Sequence, residues 1–385
     1  MISSSPKKPS VSSKNILILA AVFFVIALLF LFLKSKPGFG LDQKITQVKR
    51  LPILISVMAE DDVYLFGLYA EFYPLEKKAA LFFINPKTSI EDSEKTLIDK
   101  GSSAPSYIES ILEDTLDQPI PYRIILTKKQ LAHWINLMGG IELFFEPRSG
   151  HITTNYHRNK TIYTLDGEDC LDWMTALPDE KMISYIRRLE VQETVILSLF
   201  ESIHFQKENL NKQQLSFLHS QWNTNLSAKE WDTILDFLKK DRTHYSVSEL
   251  PGEPVLRQKK KDEILKSKKE TIKVAFYKFS QDLRSQASKE GERARIEVLN
   301  GTAKNGLARY GKVLLNDKGL KVLTVDNAWD HNFKASIILN RSGNTQYTDS
   351  ISETFQDRKV YFALRKDLGL DATVILGEDF QSSKD

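Results

Sequence analysis

The sequence has little of what most catalytic signatures require. It holds one cysteine, Cys170, in 385 residues, so no intramolecular disulfide and no thiolate zinc cluster can form. Lysine and arginine total 53 against 50 acidic residues, a formal net charge of +3. No global field therefore draws the chain to nucleic acid. His-Glu-x-x-His, Gly-x-Ser-x-Gly and Cys-x-x-Cys are all missing. Gly301 and Gly306 have the spacing that opens a phosphate-binding loop. Leu307-Ala308 then replace the Lys and Ser/Thr that would hold phosphate and metal, so a plain strand-to-helix turn is the better reading. The 7 histidines are scattered, and His133, beside Trp134, reads as structural.

One long apolar run is present. Ile16–Leu33 has no charge, Pro or Gly. At about 1.5 Å per residue it reaches roughly 27 Å, close to the hydrocarbon thickness of a bilayer. No Ala-x-Ala site follows, which favours an uncleaved transmembrane helix over a signal peptide. The expectation is a single-pass protein of the inner (cytoplasmic) membrane with the bulk of the chain extracytoplasmic. Lysines on both sides leave the positive-inside rule undecided. Residues 1–15 read as a disordered tail and 34–49 as a tether.

Beyond residue 50 the pattern is α/β. Val63–Phe72 and Ala79–Ile84 read as strands covered on both faces. Residues 104–116 have helical spacing, Tyr122–Thr127 reads as a strand, and Lys128–Met138 is a helix stopped by Gly139-Gly140. Ile141–Phe145 is again a strand, and this order predicts a sheet with helices on its faces. Residues 150–165 read as a hairpin or an excursion. Helices follow at Gly167–Ala176, Lys181–Ile203, Lys212–Trp222 and Ser227–Lys240, the last with a Ser227/Glu230 capping box. Thr243–Leu250 is a strand. Residues 257–293 read as a charged helix plus linker, with the lysine-rich 257–272 solvated. From Arg295 the order is strand (296–301), helix (Leu307–Lys318), strands (Leu320–Val325, Ala335–Leu339), helix (Val360–Leu368) and strand (Ala372–Leu376). That is a small βαββαβ two-layer domain.

Several short stretches taken together resemble the LytR–CpsA–Psr family of cell-envelope proteins, followed by a LytR C-terminal domain. Asp62-Val-Tyr-Leu-Phe is similar to the family's Asp at the head of an apolar strand. Asn85-Pro86-Lys87-Thr88 stands where the family has Pro-Arg-Asp. Gly139-Gly140-Ile141-Glu142-Leu143 and Leu165-Asp166-Gly167-Glu168 are similar to its Gly-Gly-Val-Glu-Val and Leu-Asp-Gly-Glu. In the second part the match lies at Val298-Leu299-Asn300-Gly301-Thr302, Gly306-Leu307-Ala308 and Val374-Ile375-Leu376-Gly377-Glu378-Asp379. The resemblance implies a degenerate family domain over 50–283, a linker at 284–293 and the C-terminal domain over 294–380.

The family's activity is transfer of a glycan from a polyprenyl-pyrophosphate lipid to peptidoglycan or a similar acceptor. Carried over residue by residue, Asp62 and Lys87 are the catalytic candidates, and Asp62 is the Mg2+ candidate. Lys87, Arg188 and Gln192 are the phosphate- and lipid-binding candidates. The departures fall on the same chemistry. Lys87 replaces an arginine and loses its bidentate fork. Thr88 replaces the neighbouring acid, Val191 stands where a second arginine belongs, and Trp173-Met174-Thr175-Ala176 replaces a Tyr-x-Arg-x-Arg stretch. Three readings follow: a transferase with a divergent site, a non-catalytic envelope protein that binds lipid-linked glycan, peptidoglycan or a protein partner, and a soluble cytoplasmic regulator.

Overall fold

The computed structural model describes Ile45, residues 48–146 without 92, 161–205, 211–285 without 241, and 294–380. The chain divides after Gln43, and every described residue belongs to the unit Lys44–Asp385. The tail, the run Ile16–Leu33, most of the tether and most of 150–165 lie outside the described residues. Among the described residues no helix is long and apolar enough to cross a membrane. The expected transmembrane helix and inner-membrane placement are corrected accordingly, because no helix among the described residues supports a span.

The first lobe runs β1 (Leu51–Met58), β2 (Tyr64–Tyr73), β3 (Lys78–Ile84), β4 (Thr88–Ile90), α1 (Leu97–Lys100), α2 (Ala104–Leu116), β5 (Tyr122–Thr127), α3 (Lys128–Leu137), β6 (Ile141–Phe144) and β7 (Ile162–Leu165). It continues with α4 (Gly167–Thr175), α5 (Met182–Phe205), α6 (Lys212–Gln221), β8 (Asn223–Thr224), α7 (Ala228–Lys240), β9 (His244–Glu249), β10 (Glu253–Arg257), β11 (Asp262–Ser267) and α8 (Lys269–Ser285). Its main sheet has the order β8-β5-β1-β2-β3-β9. β1 runs parallel to β5 and antiparallel to β2, and β3 runs antiparallel to β2 and parallel to β9. The carboxyl ends of β1, β3, β5 and β9 therefore share one edge, where β2 begins.

β3 is buried along its whole length and β2 nearly so, as continuous apolar strands covered on both faces should be. On one face Leu54, Tyr69, Phe82 and Ile84 pack with Ile108 and Leu112 of α2 and Ile272 and Phe276 of α8. Phe82 and Phe276 stack with centroids 3.6 Å apart.

β1 was not anticipated, because Pro52 interrupts an apolar run. Pro52 precedes the first pair with β5, Ile53↔Tyr122, and sits opposite Glu71 of β2. A proline at the start of a strand leaves the rest of the ladder intact. β6 follows the predicted strand–helix order but does not enter the main sheet. It pairs with β7 as a separate two-stranded ribbon, since β5 already has β1 and β8 beside it. The turn before β6 needs glycine: Gly140 has φ +90, and a Cβ there would lie 2.6 Å from the Leu165 carbonyl oxygen. The charged stretch after Arg257 is a hairpin before it is a helix. β10 and β11 pair from Glu253↔Lys266 to Arg257↔Asp262, and β11 continues in parallel with β4.

The second lobe holds β12 (Ile296–Asn300), α9 (Leu307–Asp317), β13 (Val322–Asn327), β14 (Ile337–Asn340), α10 (Thr345–Thr354), β15 (Val360–Phe362) and β16 (Ala372–Leu376). The sheet order is β13-β12-β16-β14-β15. The predicted βαββαβ order thus gains a strand, and its second helix moves. Val360-Tyr361-Phe362, β-branched and aromatic, pairs with β14. The helix lies earlier, where mostly polar residues (Thr345, Gln346, Thr348) are the buried ones, so no apolar period marks it.

Candidate anion site at the carboxyl edge of the sheet

β3 ends at Ile84 and delivers Asn85-Pro86-Lys87 to the shared edge. The Asn85 carboxamide oxygen accepts from the Lys87 N–H at 2.9 Å, and its Nδ2 donates to the Tyr185 carbonyl at 3.4 Å. The Lys87 carbonyl accepts from Leu265 N–H at 3.0 Å. The backbone of Lys87 is thereby tied to β11, and its turn to α5.

The Lys87 side chain is 9% exposed, with Nζ 3.1 Å from Asp262 Oδ2 and 3.8 Å from Glu180 Oε2. The same Asp262 takes a bidentate pair from Arg257, at 2.8 and 2.7 Å. Arg257 also donates to Asp99 and to the Glu94 carbonyl, and Lys260 donates to Asp99 at 2.6 Å. Asp99 in turn closes a capping box with Thr96 at the start of α1. The bidentate Arg257 and then Lys87 hold the Asp262 carboxyl down to about 2, against its burial. Burial pushes Asp99 upward, yet hydrogen bonds from Lys260 and Arg257 hold it well below the usual carboxylate range. Three cations, Lys87, Arg257 and Lys260, and the two carboxylates Asp262 and Asp99 are thus already engaged with each other.

Arg188 is different. It lies one turn after Tyr185 on α5, so both project from one helix face. Its guanidinium sits 4.7 Å from the Tyr185 ring centroid, and Lys87 Nζ sits 4.9 Å from the same ring. Arg188 is 8% exposed, and burial lowers its pKa. Among the described residues its guanidinium makes no hydrogen bond or ion pair. The Tyr185 hydroxyl is turned away to Glu180 Oε2 at 2.5 Å. Burial, with Glu180 as acceptor, raises its pKa. A buried guanidinium resting on an aromatic face with its donors unused is a receptor for an acceptor-rich anion.

The structure therefore brings Lys87 and Arg188 together around Tyr185. Gln192, one turn further along α5, is 1% exposed. Its Nε2 donates to the Met174 carbonyl at 3.1 Å, and its Oε1 is buried without a hydrogen-bond partner. Asp62 is elsewhere in character: an exposed residue of the β1–β2 turn with φ +64, its N–H donating to Ala59. Among the described residues no group of three or more His, Cys, Asp or Glu could hold a metal ion. Asp62, in its exposed turn, offers a single carboxylate.

Sequence reasoning missed Tyr185, Asp262 and Arg257. The alternation of Glu253–Arg257 and Asp262–Ser267 around a lysine turn was the signal for the hairpin that carries two of them. Asp62, Lys87 and Arg188 line none of the described cavities. The largest, about 910 Å3, opens at the opposite end of the sheet and is lined by residues such as Arg50, Tyr73, Phe276 and Arg284.

Residues 293–380 match the family model described as LytR cell envelope-related transcriptional attenuator. No curated protein matches. Among solved structures, TagT bound to LIIa-WTA is similar at 14% identity with TM-score 0.50, over 62% of this chain and 92% of that one. Protein gbs0355 from Streptococcus agalactiae is similar at 18% identity with TM-score 0.50, over 62% and 89%. A further structure of TagT, a LytR-CPS2A-psr family protein with bound octaprenyl pyrophosphate lipid, has TM-score 0.46 at 15% identity, over 62% and 92%. At such identities the likeness is one of fold, and the fold shared is that of TagT. The sequence resemblance is thus met in both lobes.

Proposed function

We propose that this chain, with a first lobe of the LytR–CpsA–Psr fold and a C-terminal segment matching the LytR C-terminal model, is a cell-envelope binding protein. Its ligand is the phosphate-bearing head of a lipid-linked glycan, held without catalysis of glycan transfer. The observation that carries this reading is Arg188, a buried guanidinium with no hydrogen bond or ion pair among the described residues. TagT, whose fold the first lobe shares, is bound to LIIa-WTA in its structure, which supports a ligand of this class.

The same geometry speaks against transfer. Asp262 already occupies Lys87 and Arg257. Position 191 is a valine, 5% exposed. A pyrophosphate then meets one uncommitted arginine rather than the several that would stabilise charge developing during phosphoryl transfer. The prenyl chain also has no described cavity beside Arg188. The stacked Phe82 and Phe276 fill the core between the shared edge and the 910 Å3 groove.

The test titrates the full chain with a polyprenyl pyrophosphate and with a short-chain analogue. The expected result is saturable binding of both with similar affinity. Each charged hydrogen bond contributes about 1.5–3 kcal/mol, so Arg188→Ala should weaken binding roughly 10- to 100-fold. Lys87→Ala should change it far less. Release of prenyl phosphate with glycan appearing on an acceptor would overturn the non-catalytic reading, and wild-type affinity in Arg188→Ala would overturn the site.

A further inference from the structure

The stretch of α5 that follows Arg188 is gripped by the second lobe. The Lys366 N–H donates to Glu190 Oε1 at 3.1 Å. Its Nζ lies 2.7 Å from Glu193 Oε1 and 2.7 Å from Glu249 Oε1 at the end of β9. Leu364 N–H donates to Thr194 Oγ1 at 3.2 Å. Val191 lies inside this contact, lining a cavity of about 40 Å3 with Ala363, Leu364 and Arg365. One short segment, 364–366, thus engages α5 at 190, 191, 193 and 194.

Further ties of the same kind hold the lobes together. Glu146, after β6, accepts from Arg341 and Arg365. Asp349 of α10 pairs with Arg242 at 2.8 Å and His244 at 3.0 Å. Lobes that merely follow one another along the chain need no such buried charges.

Glu193 is fully buried, and its Oε2 has no hydrogen-bond partner. Replacing such a buried ionic group by apolar side chains often stabilises a protein, and the best-attested use of one is to fix register. Register is what the Arg188 site needs. Arg188 and Glu193 lie five positions apart on one helix, about 7.5 Å along its axis. A slide or rotation of α5 that broke the Glu193–Lys366 pair would carry Tyr185 and Arg188, which share the helix, away from Asn85 and Lys87 at the end of β3. It would also expose Val191, the position where the family resemblance places an arginine. The second lobe covers that position here.

We propose that the second lobe is a clamp on α5, with Lys366 the positioning residue that sets the register of the Arg188 guanidinium for a phosphate-bearing anion. The part concerning the anion rests on the function proposed above; the clamp itself does not.

The test uses the full chain, inorganic pyrophosphate as the probe, and amide hydrogen exchange along 188–196. Lys366→Met should weaken pyrophosphate binding about tenfold, within the usual range of coupling between sites, and should speed exchange in 188–196. Lys366→Arg, which keeps the charge and the donors, should restore both. Wild-type exchange in Lys366→Met would overturn the clamp. So would accelerated exchange that Lys366→Arg fails to restore. If the wild-type chain does not bind pyrophosphate, the Arg188 reading falls, while the exchange comparison still decides the clamp. Should Lys366→Met fail to fold, the near-isosteric Thr194→Val is read instead. It removes the acceptor for Leu364 N–H, and unchanged exchange at 188–196 would overturn the proposal.

Discussion

Helix α5 carries two buried charge imbalances of opposite sign within a few residues. At Tyr185 and Arg188 the surplus is cationic: Lys87 and Arg257 are neutralised by Asp262 and Asp99, and Arg188 is left over. At Glu190 and Glu193 the surplus is of carboxyl groups: Glu193 and Glu249 hold the single ammonium of Lys366, and Glu190 accepts from the Lys366 backbone N–H. Desolvation is unfavourable for both groups, but they differ in what relieves it. The carboxylates have their counter-ion built in, supplied by the second lobe. The guanidinium has no direct ion pair among the described residues, Glu180 acting on it only from a distance. A permanent contact and a site awaiting an anion are told apart by that difference alone.

The largest effect is expected where the cationic end is closed on itself. Arg257→Ala leaves Asp99 and Asp262 without their main partner. Removing one member of a buried ion network costs about 3–5 kcal/mol, read as a lower urea midpoint at unchanged slope. A drop below about 1 kcal/mol would mean that the network is solvated.

Arg188 sharpens the comparison next, because a surplus charge should cost stability in the free protein. Arg188→Met is expected to raise the melting temperature of the ligand-free chain while abolishing most pyrophosphate affinity, the usual opposition of stability and function at a site. A lowered melting temperature would show that Arg188 has a structural partner instead.

The anionic end is expected to be pH-sensitive. Burial pushes Glu193 up to about 8, opposed by Lys366 and reinforced by Glu249 and Glu190. A carboxyl with a raised folded-state pKa contributes stability below its unfolded value near 4.5, and that contribution is lost as pH rises through about 8. Lys366, pulled up to about 12 by Glu193 and Glu249 despite its burial, keeps its charge across this window. Unfolding midpoints of the wild type should therefore fall between those two pH values, and Glu193→Gln should flatten the decline. Parallel profiles for the two proteins would remove Glu193 from the account.

The smallest effect is expected at Thr96→Ala. It opens the capping box that orients Asp99 toward Arg257 and should cost about 1 kcal/mol.

Much of the fold could be read from periodicity, and the parts that could not have identifiable causes. β2, β3, α2, β5 and α3 show clear apolar patterns, and the Ser227–Glu230 capping box forms as expected, Glu230 N–H donating to Ser227 Oγ at 3.3 Å. β1 was hidden by a proline at its start, α10 by a polar buried face, and the β10–β11 hairpin by a run of lysines. The transmembrane assignment rested on composition alone and found no support among the described helices. At the candidate site, Lys87 and Arg188 could be named from resemblance. Whether each is committed or available could not, because Asp262 lies 175 positions from Lys87 in sequence. Charge compensation is a tertiary property, and no local window of sequence contains it.

The most direct test of the account is a crystal structure of the full chain grown with inorganic pyrophosphate. The account predicts phosphate oxygens within hydrogen-bond distance of the Arg188 guanidinium, with the Lys87–Asp262–Arg257 contacts intact. Pyrophosphate seated on Lys87 and Arg257 with Asp262 displaced would contradict it, and would return the site to the chemistry of a transferase.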